Sequence, residues 1–169
     1  MTGLQLVSTP VKMRKELALL APRAALGASM LFHGYGKLAG QGPTKTAELM
    51  ESIDVKPARP FAVATGIAEV FAGVSAIFGI WTRPAALAVL VTQAVALGKV
   101  HLDKGYDITK GGYEYNVALM AIAAGLLLAG PGSVSAHEAI EHAMEGRGGK
   151  RLFRKARPSL ALRLVKLLK

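Results

Sequence analysis

The chain has 169 residues, a net charge of +10 and a hydrophobic fraction of 51%, and its mean hydropathy of +0.35 is high for a domain that must cover its outside with polar groups. This composition points to a membrane protein. The absence of cysteine excludes disulfide staples, thiolate metal sites and any dithiol relay, and the basic residues, nine of which follow Gly146, are interleaved with Leu, Phe and Val and accompany no motif of a nucleic-acid-binding fold.

Residues 1–16 are polar and carry no small-residue cleavage site after a short apolar core, so they are expected to remain as a cytoplasmic segment, with the first span serving as insertion signal. Four spans are predicted, at Leu17 to Ala39, Phe61 to Trp81, Pro84 to Val100 and Tyr115 to Gly130. The last two are near the lower length limit and place Lys99, His101 or Tyr113 in the interface. All four are rich in Gly, Ala and Ser, as in Ala24-Ala25-Leu26-Gly27-Ala28-Ser29, which lets helix backbones approach closely where lipid gives no hydrophobic drive.

Between the first two spans, a short surface helix is predicted over Thr44 to Ser52, stopped by Pro57 and Pro60. Thr82-Arg83 reads as a tight inner connection, and Lys99 to Glu114 as a loop holding His101, Asp103, Asp107 and Gly111-Gly112. Past Gly130-Pro131-Gly132, Ser135 to Glu145 reads as helical. Lys150 to Lys169 reads as a basic amphipathic helix, with Leu160, Leu164 and Leu167 or Leu168 on one face, lying on anionic inner-leaflet lipids. The predicted fold class is therefore an all-α membrane protein, a four-transmembrane-helix bundle over residues 17–132 followed by a cytoplasmic helical basic tail over 133–169.

Lys12, Arg14, Lys15 and the basic tail outweigh Lys37, Lys45, Lys56, Arg59, Lys104 and Lys110 on the other side, which predicts both termini in the cytoplasm. With that orientation, Glu69 lies about 12 Å below the surface its span enters from, at roughly 1.5 Å per residue. An ionised carboxylate facing lipid costs several kcal/mol, so Glu69 must face the bundle interior, pair, or hold a proton. The same outer layer receives His33, Lys37, Lys99, His101, Glu114, Tyr115 and Asn116. Glu69, His33 and His101 are the candidate catalytic residues, with Lys37, Lys99, Glu114, Tyr115 and Asn116 as candidate ligand contacts. Lys37, Arg83 and Lys99 also suit snorkelling interface positions, and Trp81 an interfacial anchor. Arg23 either snorkels to the cytoplasmic surface or pairs across the bundle. His33, His101, Glu69 and Glu114 suit zinc or non-haem iron in ligand type, but no Glu-x-x-His or His-x-x-x-His spacing ties them together, and no metal is expected.

The ordered set Arg23-x-x-x-Gly27, His33-Gly34-x-x-Lys37, Gly66-x-x-Glu69-x-x-x-Gly73, Gly79-x-x-Thr82-Arg83-x-Ala85-Ala86, His101, Gly111-Gly112-x-Glu114-Tyr115 and Gly130-Pro131-Gly132 resembles the DoxX family over about Leu17 to Ser135. That resemblance implies a four-helix protein of the plasma membrane, in a family named for its association with a thiosulfate:quinone oxidoreductase and with members tied to redox and sulfur stress. The chain departs from the family pattern at Val134-Ser135-Ala136-His137 and in its long basic end.

The leading expectation is an accessory subunit of a membrane redox system that binds a quinone, with Glu69 as proton acceptor or hydrogen-bond partner. Nothing in the chain resembles a flavin, haem or nucleotide motif, so electrons have to come from a redox partner protein, and autonomous enzymatic activity is not expected. Transport of a small solute or proton by a homo-oligomer is one alternative. A membrane scaffold in which Glu69 pairs with Lys99 or Arg23 to fix helix register is another.

Overall fold

A computed structural model describes residues 17–149 and Lys166. The expected cytoplasmic N-terminal segment and nearly all of the basic amphipathic tail lie outside the described residues. Among the described residues the chain is all-helical, built from α1 (Leu20–Leu38), α2 (Gly42–Ser52), α3 (Ala58–Phe78), α4 (Thr82–Ala96), α5 (Glu114–Ala129) and α6 (Ala136–Gly149).

Each boundary has a local cause. Pro43 occupies the first turn of α2, where its missing N–H is not needed. Pro57 precedes α3 in an extended conformation and Pro60 falls inside the first turn of that helix. Gly79 ends α3 in the left-handed region at φ 66°, and the N–H groups of Gly79 and Ile80 both return to the Ser75 carbonyl. The connection between α3 and α4 is therefore Gly79 to Trp81, and Thr82-Arg83, expected as the turn, opens α4 instead. Ser135 starts α6 by accepting from the Glu138 N–H at 3.2 Å.

Helices α1 and α3 form the closest antiparallel pair, and four glycines account for it. A Cβ on Gly34 would lie 2.7 Å from the Val70 nitrogen and 2.9 Å from the Gly66 carbonyl, and one on Gly73 would lie 2.8 Å from the Leu31 nitrogen and 2.9 Å from the Gly27 carbonyl. No side chain fits at either crossing. Gly27 thus faces Gly73 and Gly34 faces Gly66, which sets the register of the pair and brings Lys37 level with Glu69. α4 packs on α3 and α5 on α4, around a core of Leu26, Met30, Ala72, Ala85, Ala86, Val89, Leu119, Ala123 and Leu126. The short helix α2 is more than a surface element, because Thr46 and Met50 are buried and Met50 joins Ala58 and Ala62 of α3 in a second small core.

Among the described residues, two helices are long and apolar enough to cross a membrane, α3 and the continuous helical stretch Thr82–Lys104 that begins with α4. α5 is apolar but shorter, and α1 carries Arg23, His33 and Lys37. The stretch Thr82–Lys104 is not uniform. It widens into a π-turn at Leu97–His101 and tightens into a 3₁₀ turn at Leu102–Lys104.

A buried ion pair between two cavities

Glu69 is 3% exposed, and Lys37 Nζ donates to both of its oxygens, at 2.6 Å and 2.5 Å. The scaffold alternative pairs this carboxylate with Lys99 or Arg23; the register set by the α1–α3 glycines delivers Lys37 instead. Lys37 is not a snorkelling residue here, since its side chain is only 25% exposed and its ammonium is held on a buried carboxylate.

The pair sits where two cavities meet. One, of about 530 Å³, opens between α2, α3 and α4, and its wall is dominated by Leu49, Met50, Phe61, Val91 and Val95, with Thr46, Thr65, Thr92, Lys99 and His101 as its polar contributors beyond the pair. The other, of about 240 Å³, is lined by His33, Gln93, His101, Tyr115 and Asn116, with Ile108 and Gly112 from the connection above it. Lys37, Glu69, Ala96 and His101 border both. One face of the ion pair meets an apolar space and the other a polar one.

Hydrogen bonds fix the polar side. Asn116 donates to Gln93 Oε1 at 2.9 Å, joining α5 to α4 in the interior. The Tyr115 hydroxyl is hydrogen-bonded to Ser29 Oγ of α1 and lies 3.4 Å from His33 Nε2, so α1 and α5 meet through it. His101, carried by the π-turn, is 2.7 Å through Nδ1 from the Gly111 carbonyl. The connection from α4 to α5 closes on itself, with the Tyr113 N–H donating to Gly105 and the Glu114 N–H to Tyr106. Asp107 accepts from both the hydroxyl and the N–H of Thr109, which holds its carboxyl below the usual carboxylate range.

The sequence-predicted residues divide accordingly. Glu69, Lys37, His33, His101, Tyr115 and Asn116 come together around the polar cavity, and Lys99 reaches only the apolar one. Glu114 stands apart from both linings and accepts instead from the Ile108 N–H of the connection at 3.5 Å. Gln93 is absent from the predicted set, although an amide inside an apolar span is itself a signal that a polar partner faces it. Among the described residues, no three His, Asp or Glu side chains are placed to hold a metal ion.

At the opposite end of α1, Arg23 is 3% exposed and donates to four backbone carbonyls, those of Ala76, Ile77, Pro131 and Val134, at 2.7 to 2.9 Å. It neither snorkels nor pairs with a carboxylate. Its guanidinium takes up carbonyls that the end of α3 and the turn after α5 leave without helical partners. Trp81 is half exposed, in the left-handed region at φ 49°, with its ring tilted against Phe71, and Arg83 is exposed beside it.

Comparison with curated proteins and with solved structures returns no match. The DoxX family model matches residues 18–102, just over half of the chain. The matched segment contains Arg23, the four α1–α3 glycines, the Lys37–Glu69 pair, Gln93 and His101, and it ends before Tyr115 and Asn116. The chain belongs to the DoxX family of membrane proteins.

Proposed function

We propose that this DoxX protein spans the plasma membrane four times with both termini in the cytoplasm, and that it serves a quinone-linked redox system by holding a small membrane-soluble ligand against Lys37 and Glu69. The observation that carries this reading is the placement of a buried ion pair between an apolar cavity and a polar one. A ligand arriving through lipid meets the apolar side, and Lys37 and Glu69 offer its polar group a donor and an acceptor in a medium of low dielectric. His33, His101 and Tyr115 line the other side, where protons can be exchanged with water. Electrons come from a partner protein.

The scaffold alternative gives Glu69 the task of fixing helix register. The glycine crossings and the Arg23 carbonyl contacts already account for that register, which favours a ligand role for the pair. The test is native mass spectrometry, with lipid and quinone extraction, on the detergent-purified wild type and Glu69→Gln. A small molecule that copurifies with the wild type and is missing from a folded Glu69→Gln supports the reading. Its absence from both proteins moves the weight to a scaffold.

A further inference from the structure

The charge balance of the pair restricts what it can bind. An ammonium has three protons, and two of Lys37's are taken by the Glu69 oxygens. Among the described residues, no other protein group is hydrogen-bonded to either side chain. One ammonium proton and lone pairs on both carboxylate oxygens are therefore available, while the net charge of the pair is zero. An anionic head group on the spare proton would set a second negative charge beside the Glu69 carboxylate with one ammonium between them, and a cationic head group on the spare lone pairs would set a second positive charge beside Lys37. Either leaves the pair with uncompensated charge in a medium of low dielectric. A carbonyl or hydroxyl can use the spare proton or a spare lone pair and leave the ion pair intact.

The apolar cavity supplies the rest of the specification. Its volume of about 530 Å³ fits one molecule of modest size, and Leu49, Phe61, Val91 and Val95 give it a hydrocarbon wall ending at the pair. Resting on the reading that the ligand sits at Lys37 and Glu69, we infer that this cavity takes a neutral, single-chain amphiphile, its carbonyl or hydroxyl head on the ion pair and its tail between α2, α3 and α4.

The chain has a single tryptophan, and Trp81 does not line this cavity. A Trp81→Phe, Leu49→Trp protein in phosphatidylcholine nanodiscs therefore reports from the cavity wall alone. The probes are 11-bromoundecanol, 11-bromoundecanoate and 11-bromoundecyltrimethylammonium at alkaline pH, with bromine quenching of the new tryptophan as the signal. The alcohol is expected to quench saturably, with both ions at least ~10-fold weaker, equivalent to about 1.4 kcal/mol. Adding Glu69→Gln leaves an unpaired cation, and the alkanoate then becomes the tightest probe. Either ion matching the alcohol in the parent protein overturns the inference, as does quenching by all three that never saturates, which would mean that bulk lipid fills the space. If Glu69→Gln does not fold, the ranking of the three probes in the parent protein decides alone. A quinone that copurifies in a Glu69-dependent way beside a failed alcohol titration leaves the redox reading standing and removes this one. Saturable alcohol binding with no copurified quinone does the reverse.

Discussion

Helix α1 carries two cations about four turns apart, Arg23 buried and Lys37 partly buried, and the two are satisfied by opposite means. Arg23 donates to four main-chain carbonyls, groups that neither titrate nor swing aside. Lys37 donates to a carboxylate, a group that can change partner or protonation state, and it does so beside two cavities. The first arrangement consumes most of the guanidinium's hydrogen-bonding capacity in joining α1 to the end of α3 and the turn beyond α5. The second leaves capacity unused. Of these two cations on one helix, the one met by backbone is a fastening and the one met by a side chain is a place where something else can bind.

The most disruptive way to break that contrast is to remove the spine both ends share. Gly34→Leu drives a side chain into the backbone of Val70 and Gly66, where neither neighbour can yield. Overpacking of this kind costs ~1–3 kcal/mol in tolerant cores and more against backbone. No monodisperse protein is expected on size exclusion, whereas Gly36→Ala, with nothing within 4 Å of the new Cβ, should behave as wild type. Equal behaviour of the two would refute the close-packed crossing.

Lys37→Met acts on one end alone. Stranding the Glu69 carboxylate should cost about 3–5 kcal/mol, seen as a lower Tm in detergent. Adding Glu69→Leu should return most of the loss without restoring ligand retention. A double variant no more stable than Lys37→Met would show that the two side chains are not coupled. At the other end, Arg23→Lys exchanges a five-donor fork for three protons and leaves carbonyls unpaired, with an expected loss of ~1–3 kcal/mol. Ligand retention should be unchanged there, and a lost ligand at full stability would contradict the separation of roles.

The smallest effect concerns the connection above the polar cavity. Asp107 titrates below the usual carboxylate range because it accepts from Thr109, so its contribution is fully present above the ordinary Asp pKa and is lost as pH falls through its lowered value. Protection of the Thr109 amide, its exchange rate relative to the intrinsic rate at each pH, should hold at neutral and mildly acidic pH and fall only in stronger acid, and Asp107→Asn should remove that pH dependence. Unchanged exchange in the variant would dismiss the cap.

Much of this was legible in the chain. Glu69 announced itself as a carboxylate in an apolar run, the small residues announced close helix contacts, and the helices fall within a few residues of their predicted spans. The identity of Glu69's partner was not legible, because counting charges says which cations are near a layer, and only the antiparallel register of Gly27 with Gly73 and Gly34 with Gly66 selects Lys37. Gln93 escaped because it lies inside the apolar run Pro84 to Val100 with no charged neighbour to mark it, whereas Asn116 stands beside Glu114 at a helix start. Glu114 was grouped with the cluster from its position at a helix start, whereas its carboxylate turns to the connection it caps.

The widened turn at Leu97–His101 has the character of one extra residue lodged in an otherwise regular helix. Each residue of a helix advances the direction of the next side chain by about 100°, so the extra one rephases everything after it relative to the face presented by Gln93. Excising Gly98, the glycine of that turn that lines neither cavity, should leave a smooth helix of the same hydrophobic length. It should also swing His101 away from the wall it shares between the two cavities, erasing a feature of the site without touching any residue that lines it.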